Sequence, residues 1–76
     1  MNKARRKELD SICDLILQAR ERLEAVIDEE REALENMPES LQESERGQEM
    51  QDYICRMEEA YEQIDGEAIQ EIADGL

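Results

Sequence analysis

The sequence predicts an all-α fold: an antiparallel, coiled-coil-like helical hairpin with a short C-terminal helix, dimerising into a four-helix bundle. Three observations carry this prediction. Apolar residues recur at alternating steps of three and four over two long stretches. The only proline, Pro38, lies between these stretches. The chain has 76 residues, which is too few to bury a large core, so we expect association with a second copy to stabilise it.

The first helix is predicted over residues 9–36. Residues 3–36 contain no glycine or proline, and good helix formers dominate them. Glu30 occupies the one polar heptad position, and it is interpreted either as a solvated edge or as a residue that sets the register of a dimer. The apolar heptad positions are Leu9, Ile12, Ile16, Ala19, Leu23, Val26, Ala33 and Met37, and a second stripe of Cys13, Ile27 and Leu34 widens this face.

The connector is predicted over residues 37–43, because the residue before a proline avoids the helical region and Pro38 cannot donate a helical hydrogen bond. The second helix is predicted over residues 44–65. Its candidate N-caps are Ser44, or Ser40 in a capping box with Glu43. Gly47 is expected to fray or bend its first turns. The apolar positions of this helix are Met50, Tyr53, Ile54, Met57, Ala60, Tyr61 and Ile64.

The chain is predicted to end in a short tail helix over residues 67–74. Asp65-Gly66 precedes this helix and is expected to form the C-cap of the second helix. A hairpin that turns at the connector places Cys13 near residue 67 and Cys55 near residue 25, so no disulfide is expected between them. The apolar spacing continues in the tail at Ile69, Ile72 and Leu76.

Residues 1–8 are predicted to form a basic N-terminal arm. Lys3, Arg5, Arg6 and Lys7 lie there, in a chain whose 22 acidic and 9 basic residues give a net charge of -13. Three interpretations stay open for the arm: a solvated and mobile end, a small phosphate-binding segment, or a segment neutralised by the acidic tail.

The acidity of the remaining chain favours some partners over others. Direct binding to nucleic acid requires basic groups that neutralise phosphates, and these are scarce beyond residue 8. We expect a host protein with a basic, nucleic-acid-binding surface instead. No stretch approaches the roughly 18 apolar residues of a membrane span. Two cysteines and no recognisable secretory signal predict a cytoplasmic location in a bacterial host cell.

Catalytic and metal chemistry is not expected. The chain has no histidine, which removes the usual general base and the common nucleophile pairs. Acidic pairs such as Glu58-Glu59 are typical of a solvated helix face in a chain this rich in carboxylates. Two cysteines fall short of the four ligands of a structural zinc site. We therefore predict no enzyme activity, no metal and no cofactor.

The connector resembles that of a known group of proteins. Residues 36–46 read Asn-Met-Pro-Glu-Ser-Leu-Gln-Glu-Ser-Glu-Arg. This stretch resembles the Asn/Asp, Met/Leu, Pro-Glu, x, Leu-Gln, x, Ser-Glu-Arg signature of small glutamate-rich helical proteins encoded by phages and prophages. The resemblance extends over most of residues 8–64. It implies a phage context and a helical hairpin, and it implies no particular activity.

Three functions are compatible with these features. The first is a phage-encoded inhibitor that occupies the nucleic-acid site of a host protein, such as a defence protein, as anti-CRISPR proteins do. The second is a structural or assembly coiled coil whose acidity only keeps it soluble. The third is an oligomer that sequesters a small ligand or nucleotide with its basic terminus. For the first function, the partner-binding acidic face is predicted to comprise Asp28, Glu29, Glu32, Glu35, Glu58, Glu59 and Glu62.

Overall fold

The protein is all-helical and has an extended helix-turn-helix shape. A computed structural model describes residues 2–75, which form α1 (Lys3–Glu35), α2 (Glu39–Gln42), α3 (Glu45–Gln63) and α4 (Glu67–Asp74). Helices α3 and α4 both pack against α1, and the one-turn helix α2 packs against α3. The molecule measures 59 × 14 × 12 Å, and α1, with 33 residues and a length of about 50 Å, spans most of this length with the other helices along it.

Helix α1 begins at Lys3, six residues before the predicted start at residue 9. The Asn2 side chain is the N-cap, because its Oδ1 accepts a hydrogen bond of 2.9 Å from the backbone N–H of Arg5. A capping residue of this kind stabilises a helix by about 1 kcal/mol. The predicted arm over residues 1–8 is thus corrected: its basic side chains lie on the first turns of α1.

The face of α1 that packs on α3 and α4 is rotated from the predicted heptad face. Val26 is 47% exposed, and Ala19 and Ala33 are exposed too. The stripe that was expected only to widen the face is central to it, because its isoleucine and leucine cover more apolar surface than the alanines do. Half-buried or buried positions along this inner face are Leu9, Cys13, Ile16, Arg20, Leu23, Ile27, Glu30, Leu34 and Met37.

The core that this packing encloses is small. Among residues 2–75, the buried hydrophobic residues are Ile27, Ile54 and Ala73, with 5%, 6% and 8% exposure. Two packed helices leave both sides of their contact line open to solvent, so most apolar side chains of the hairpin are partly exposed.

Side chains of the connector form hydrogen bonds with the backbone at the end of α1 and at the start of α3. The Gln42 amide donates hydrogen bonds to the Met37 carbonyl at 2.8 Å and to the Glu35 carbonyl at 3.4 Å, which satisfies acceptors left over at the end of α1. The Ser44 hydroxyl accepts from the N–H of Gly47 at 3.3 Å and is the N-cap of α3. Of the two candidate caps, Ser44 is therefore the one used at α3, and Pro38 immediately precedes the turn of α2.

Gly47 lies where α3 crosses close to α2. It is buried in the first turn of α3, and a Cβ atom there would lie 2.5 Å from the carbonyl oxygen of Leu41 and closer still to that of Gln42. Gly47 has no positive φ angle, so the requirement for glycine comes from this close backbone approach. The expected fraying or bending at Gly47 is replaced by tight packing.

Helix α3 ends at Gln63, with Ile64 as its C-cap, two residues before the predicted end. Gly66 has φ -91°, so it does not form the left-handed C-cap that was expected of Asp65-Gly66. The Asp65 carboxylate instead accepts a hydrogen bond of 2.9 Å from the N–H of Glu67 and thereby starts α4. Leu76, expected to extend the apolar stripe of the tail, lies outside the described residues.

Helix α4 packs on the N-terminal half of α1. The Cys13 thiol lies 3.7 Å from the carbonyl oxygen of Gly66, and the Gln70 amide lies 3.5 Å from Asp10. The predicted placement of Cys13 near residue 67 is therefore confirmed. Both cysteines are free thiols.

Candidate interaction surfaces

The two long sides of the hairpin differ in chemistry. Along the line where α1 meets α3, one side is polar, and we call it the polar face. The residues that line its central cleft are Glu24, Ile27, Asp28, Arg31, Glu58 and Tyr61. On the opposite side the same contact line is bordered mostly by alanine, valine, leucine, methionine and tyrosine side chains, together with Arg22 and Arg46, and we call this the apolar face.

Three contacts join α1 to α3 across the polar face. Arg31 forms an ion pair with Glu58 and lies 4.0 Å from Asp28. The Tyr61 hydroxyl donates a hydrogen bond of 3.4 Å to Glu24. The guanidinium of Arg20 lies over the Tyr61 ring, 4.4 Å from its centroid. A cation–π contact of this kind adds about 0.5–2 kcal/mol of attraction.

The predicted acidic face does not form one cluster. Asp28, Glu29, Glu32, Glu35, Glu59 and Glu62 are all exposed, whereas Glu58 is half-buried and paired with Arg31. Helical periodicity puts Asp28 and Glu35 with Glu62 on the polar face, turns Glu32 and Glu59 to the outer backs of their helices, and places Glu29 beside Val26 and Ala33 at the edge of the apolar face. The carboxylates therefore lie on the polar face, on the backs of both helices and along one edge of the apolar face.

The apolar face is a second apolar stripe, which the hairpin covers only in part. On α1 it runs through Ile12, Ala19, Val26 and Ala33, spaced by seven residues. Beyond the connector it continues at Leu41 on α2, which is 48% exposed. On α3 the same face carries Met50, Tyr53, Met57, Ala60 and Ile64, and on α4 it carries Ile72, which is half exposed.

A groove of about 320 Å³ opens on the apolar face at the connector end. It is lined by Ala33, Met37, Leu41, Arg46 and Met50. The remaining predicted seam residues divide between the two sides of the molecule. Leu9, Ile16, Ile27, Leu34, Ile54 and Tyr61 face the intramolecular contact line, Leu23 lies at the border, and Ile12, Val26, Met50, Met57 and Ile64 belong to the apolar face.

The accessible surface of the hairpin is large for its mass. A compact monomer of 8.9 kDa exposes about 4,800 Å², whereas this chain exposes 6012 Å², a surplus of about 1,200 Å². A stable interface between two proteins buries about 800 Å² on each partner. The surplus is therefore as large as the surface that one partner contributes to such an interface.

The Arg20–Tyr61 stack was not predicted from the sequence. A hydropathy pattern counts arginine as polar, so Arg20 was not assigned to the seam. It nevertheless lies four residues after Ile16 and three before Leu23, on the inner face. The Nε atom of Arg20 is buried without a hydrogen-bond partner, as is that of Arg6. An aromatic residue at the matching level of the second helix is the signal that could have indicated the stack.

The basic residues at the start of α1 have no direct ionic partner in the hairpin. Among residues 2–75, the ion pairs within 4.0 Å join Arg31 to Asp28 and Glu58, and Arg56 to Asp52. Lys3, Arg5, Arg6 and Lys7 take part in none of these pairs. The acidic tail therefore acts on these basic residues only through its long-range electrostatic field, without the direct pairing that was expected.

The two thiols lie in different surroundings. Burial, and then the charges of Asp10, Asp14 and Asp74, raise the pKa of the Cys13 thiol above its usual range. Cys55 is exposed on α3. Within residues 2–75, no group of three histidine, cysteine or acidic side chains converges in a way that could hold a metal ion. No helix in this part of the chain is long and apolar enough to cross a membrane.

The chain matches no protein-family model, and it shows no significant similarity to curated proteins or to solved structures. Its function is therefore inferred from the two faces described above. The resemblance of the connector to phage proteins stays a prediction.

Proposed function

We propose that the chain is a non-enzymatic protein-interaction module that pairs with a second copy through its apolar face and presents its carboxylates to a basic surface of another protein. The observation that supports this proposal is the segregation of the surface: an apolar stripe on one side that the hairpin covers only in part, and exposed acidic side chains on the other sides. Pairing on the apolar face produces a four-helix bundle and leaves the acidic surface free.

The charge density of such a pair approaches that of a nucleic acid. Each chain carries a net charge of -13 and is 59 Å long. Two chains side by side therefore carry about one net negative charge per 2.3 Å, compared with about one per 1.7 Å along duplex DNA. A groove built to hold nucleic acid would attract this bundle by the same long-range field.

The proposed partner is a host protein that handles nucleic acid, such as a defence protein. The resemblance of residues 36–46 to a phage and prophage connector supports this context. In this proposal the chain inhibits its partner by occupying the nucleic-acid site, and it acts in the cytoplasm of the bacterial host.

The test reverses three carboxylates that lie off the apolar face and outside the Arg31 ion pairs: Glu32, Glu59 and Glu62, each changed to Lys. Because all three are exposed, the fold should be retained, which circular dichroism checks. The unsubstituted chain and the variant are immobilised, incubated with bacterial lysate, and eluted with duplex DNA or with salt. We expect the unsubstituted chain to retain proteins that DNA releases, and the triple variant to lose them.

A triple Glu→Gln variant at the same positions is the matched control. It shifts the local charge by half as much, so the captured proteins should be released at a salt concentration between those of the other two chains. Equal capture by all three chains would contradict the proposal. That result would favour the second candidate, an assembly coiled coil whose acidity only maintains solubility, which the partly covered apolar stripe alone also supports.

A further inference from the structure

The exposed seam of α1 is complementary in shape to the same seam of a second copy that runs in the opposite direction. At every seventh residue it carries Ile12, Ala19, Val26 and Ala33, with one large and one small side chain in alternation, and Leu15, Arg22 and Glu29 lie beside these positions. Two copies of α1 that run in opposite directions place Ile12 opposite Ala33 and Ala19 opposite Val26, so a large side chain meets a small one at each pair. We propose that the apolar face binds a second copy in this antiparallel register, with its midpoint between Arg22 and Leu23. This inference rests on the proposed pairing and specifies its geometry.

Helix α3 independently gives the same register. Antiparallel pairing of its exposed seam with that of the second copy places Met57 opposite Ala60 and Tyr53 opposite Ile64, again with large against small in the central pair. The midpoint of α3 then falls between Glu58 and Glu59. Because α1 and α3 belong to one hairpin, the two midpoints have to lie at the same level along it.

The contacts of Tyr61 place the two midpoints within about one helical turn of each other. Its ring stacks on Arg20 and its hydroxyl bonds Glu24, and these two residues flank the midpoint of α1. Tyr61 is about two and a half residues from the midpoint of α3, and its side chain leans back toward the N-terminus of that helix, as helical side chains do. One two-fold axis across the hairpin therefore satisfies both helices to within about one turn, or about 5 Å.

Charge repulsion is weaker in this orientation than in the parallel one. Residues 28–49, at the connector end, carry nine carboxylates and two arginines, a net charge of -7, whereas residues 3–14 and 65–74, at the other end, carry seven carboxylates and four basic residues, a net charge of -3. In the antiparallel register Asp10 of one copy lies opposite Glu35, the last residue of α1 in the other copy, so the basic residues 3–7 extend past that helix end toward the connector with Glu39 and Glu43. A parallel arrangement instead places two sets of nine carboxylates side by side, within a screening length of about 8 Å.

In the antiparallel register, side chains of the second copy lie at the apolar groove of the connector end. The groove is lined by Ala33, Met37, Leu41 and Met50, with Arg46 beside them. Ile12 of the second copy lies opposite Ala33, and Ile72 of the second copy, half exposed at the far end of the same face, approaches the groove from α4. The surplus accessible surface of about 1,200 Å² per chain exceeds the about 800 Å² that a stable interface buries on each side.

Disulfide trapping tests the register. In a background in which Cys13 and Cys55 are changed to Ser, one protein carries Ile12→Cys and another carries Ala33→Cys. The two are mixed, unfolded, refolded together and oxidised. We expect a cross-linked dimer in the mixture only, because two copies of the same cysteine lie about 30 Å apart in this register, whereas a disulfide needs Cα atoms within about 7 Å.

Leu17→Cys is the matched control, since Leu17 is exposed on the opposite side of α1 and should cross-link with neither protein. If the Ile12→Cys protein fails to fold, Ala19→Cys mixed with Val26→Cys tests the same register. Cross-linking of Ala33→Cys with itself would overturn the antiparallel orientation while leaving a dimer. The absence of cross-links from both mixtures of folded dimers would overturn the register.

The unsubstituted chain gives a second readout. Light scattering at about 50 μM should give twice the monomer mass of 8.9 kDa. Small-angle X-ray scattering should then give a longest dimension close to the 59 Å of one hairpin, with a thicker cross-section. A monomer under these conditions would overturn both the proposed pairing and its register, and a dimer of nearly twice this length would overturn the side-by-side arrangement.

Discussion

For Gly47→Ala, the local rule of helix propensity and the packing of the connector predict opposite effects on stability. In a helix, alanine is favoured over glycine by about 1 kcal/mol, and Gly47 has no positive φ angle that an alanine would resist. The local rule therefore predicts that the variant is more stable. The structure predicts the opposite, because the added Cβ would meet the carbonyl groups of Leu41 and Gln42.

The overlap involves backbone atoms of α2, which cannot rotate away as a side chain can. A Cβ only 2.5 Å from the Leu41 oxygen forces α2 and α3 apart, and overpacking of this kind costs about 1–3 kcal/mol. The severity of the overlap puts the cost near the upper end. After the gain in helix propensity, we expect a net loss of about 2 kcal/mol in the free energy of unfolding.

Thermal unfolding at a fixed protein concentration measures this loss. A change of 1 kcal/mol shifts the midpoint of a domain of this size by about 4–8 °C, so Gly47→Ala should melt about 8–16 °C below the unsubstituted chain. Gly66→Ala is the matched control. Its Cβ would lie 3.7 Å from Ile16, an ordinary contact, so its stability should be unchanged or higher by up to about 1 kcal/mol. A Gly47→Ala midpoint at or above that of the unsubstituted chain would refute the close approach.

Three further predictions follow from the contacts of α1. Ile27→Ala removes a buried side chain and should lower the free energy of unfolding by about 2–5 kcal/mol in urea titrations; a loss below about 0.5 kcal/mol would mean that another seam forms the core. Glu58→Gln breaks the ion pair with Arg31, whose side chains are about half exposed, so the loss should stay below about 1 kcal/mol and vanish in high salt. The pKa of the Cys13 thiol is raised, so less of it is thiolate at pH 8, and iodoacetamide should modify it more slowly than the exposed Cys55, with a rate that climbs as the pH rises through the raised pKa. Equal rates at the two cysteines would contradict the described surroundings.

The helices and the turn could be predicted because they depend on local chemistry. An uninterrupted run of helix formers specifies α1, and Pro38 ends the run. The position of Cys13 near the start of α4 followed from the connector alone, since the register of an antiparallel hairpin depends only on where it turns. The start of α1 was predicted too late, because its N-cap, Asn2, lies before a basic cluster that was interpreted as an arm outside the helix.

The inner face of α1 could not be chosen from its own sequence. Two heptad seams run along this helix and share Ile16 and Leu23, so the pattern fits both. The seam that faces α3 is decided by the partner helix, and the presence of Ile27 in one seam and Val26 in the other is too small a difference to settle it. The close approach at Gly47 was missed for a similar reason, because a glycine in a first helical turn gives no sign of what crosses it.

Six of the seven carboxylates of the predicted acidic face are exposed, and the seventh, Glu58, is half-buried in an ion pair that was not predicted. Spacing along one helix shows which residues share a side of it, and it does not show which cation of the other helix reaches them. Glu58 is the example, since Arg31 on α1 pairs with it across 27 positions of sequence. Ion pairs between helices depend on register and side-chain reach, which sequence periodicity leaves open.

The hydrogen bonds of the connector have a consequence for the order of folding. The side chains of Gln42, Gln48 and Gln51 reach carbonyls no more than nine residues away, so this turn can close in about 10–100 ns without help from the rest of the chain. Helix α4 instead meets α1 through contacts such as Cys13–Gly66, more than fifty residues apart. During synthesis on the ribosome, the N-terminal half of α1 therefore lacks the contacts that cover it until α4 has emerged.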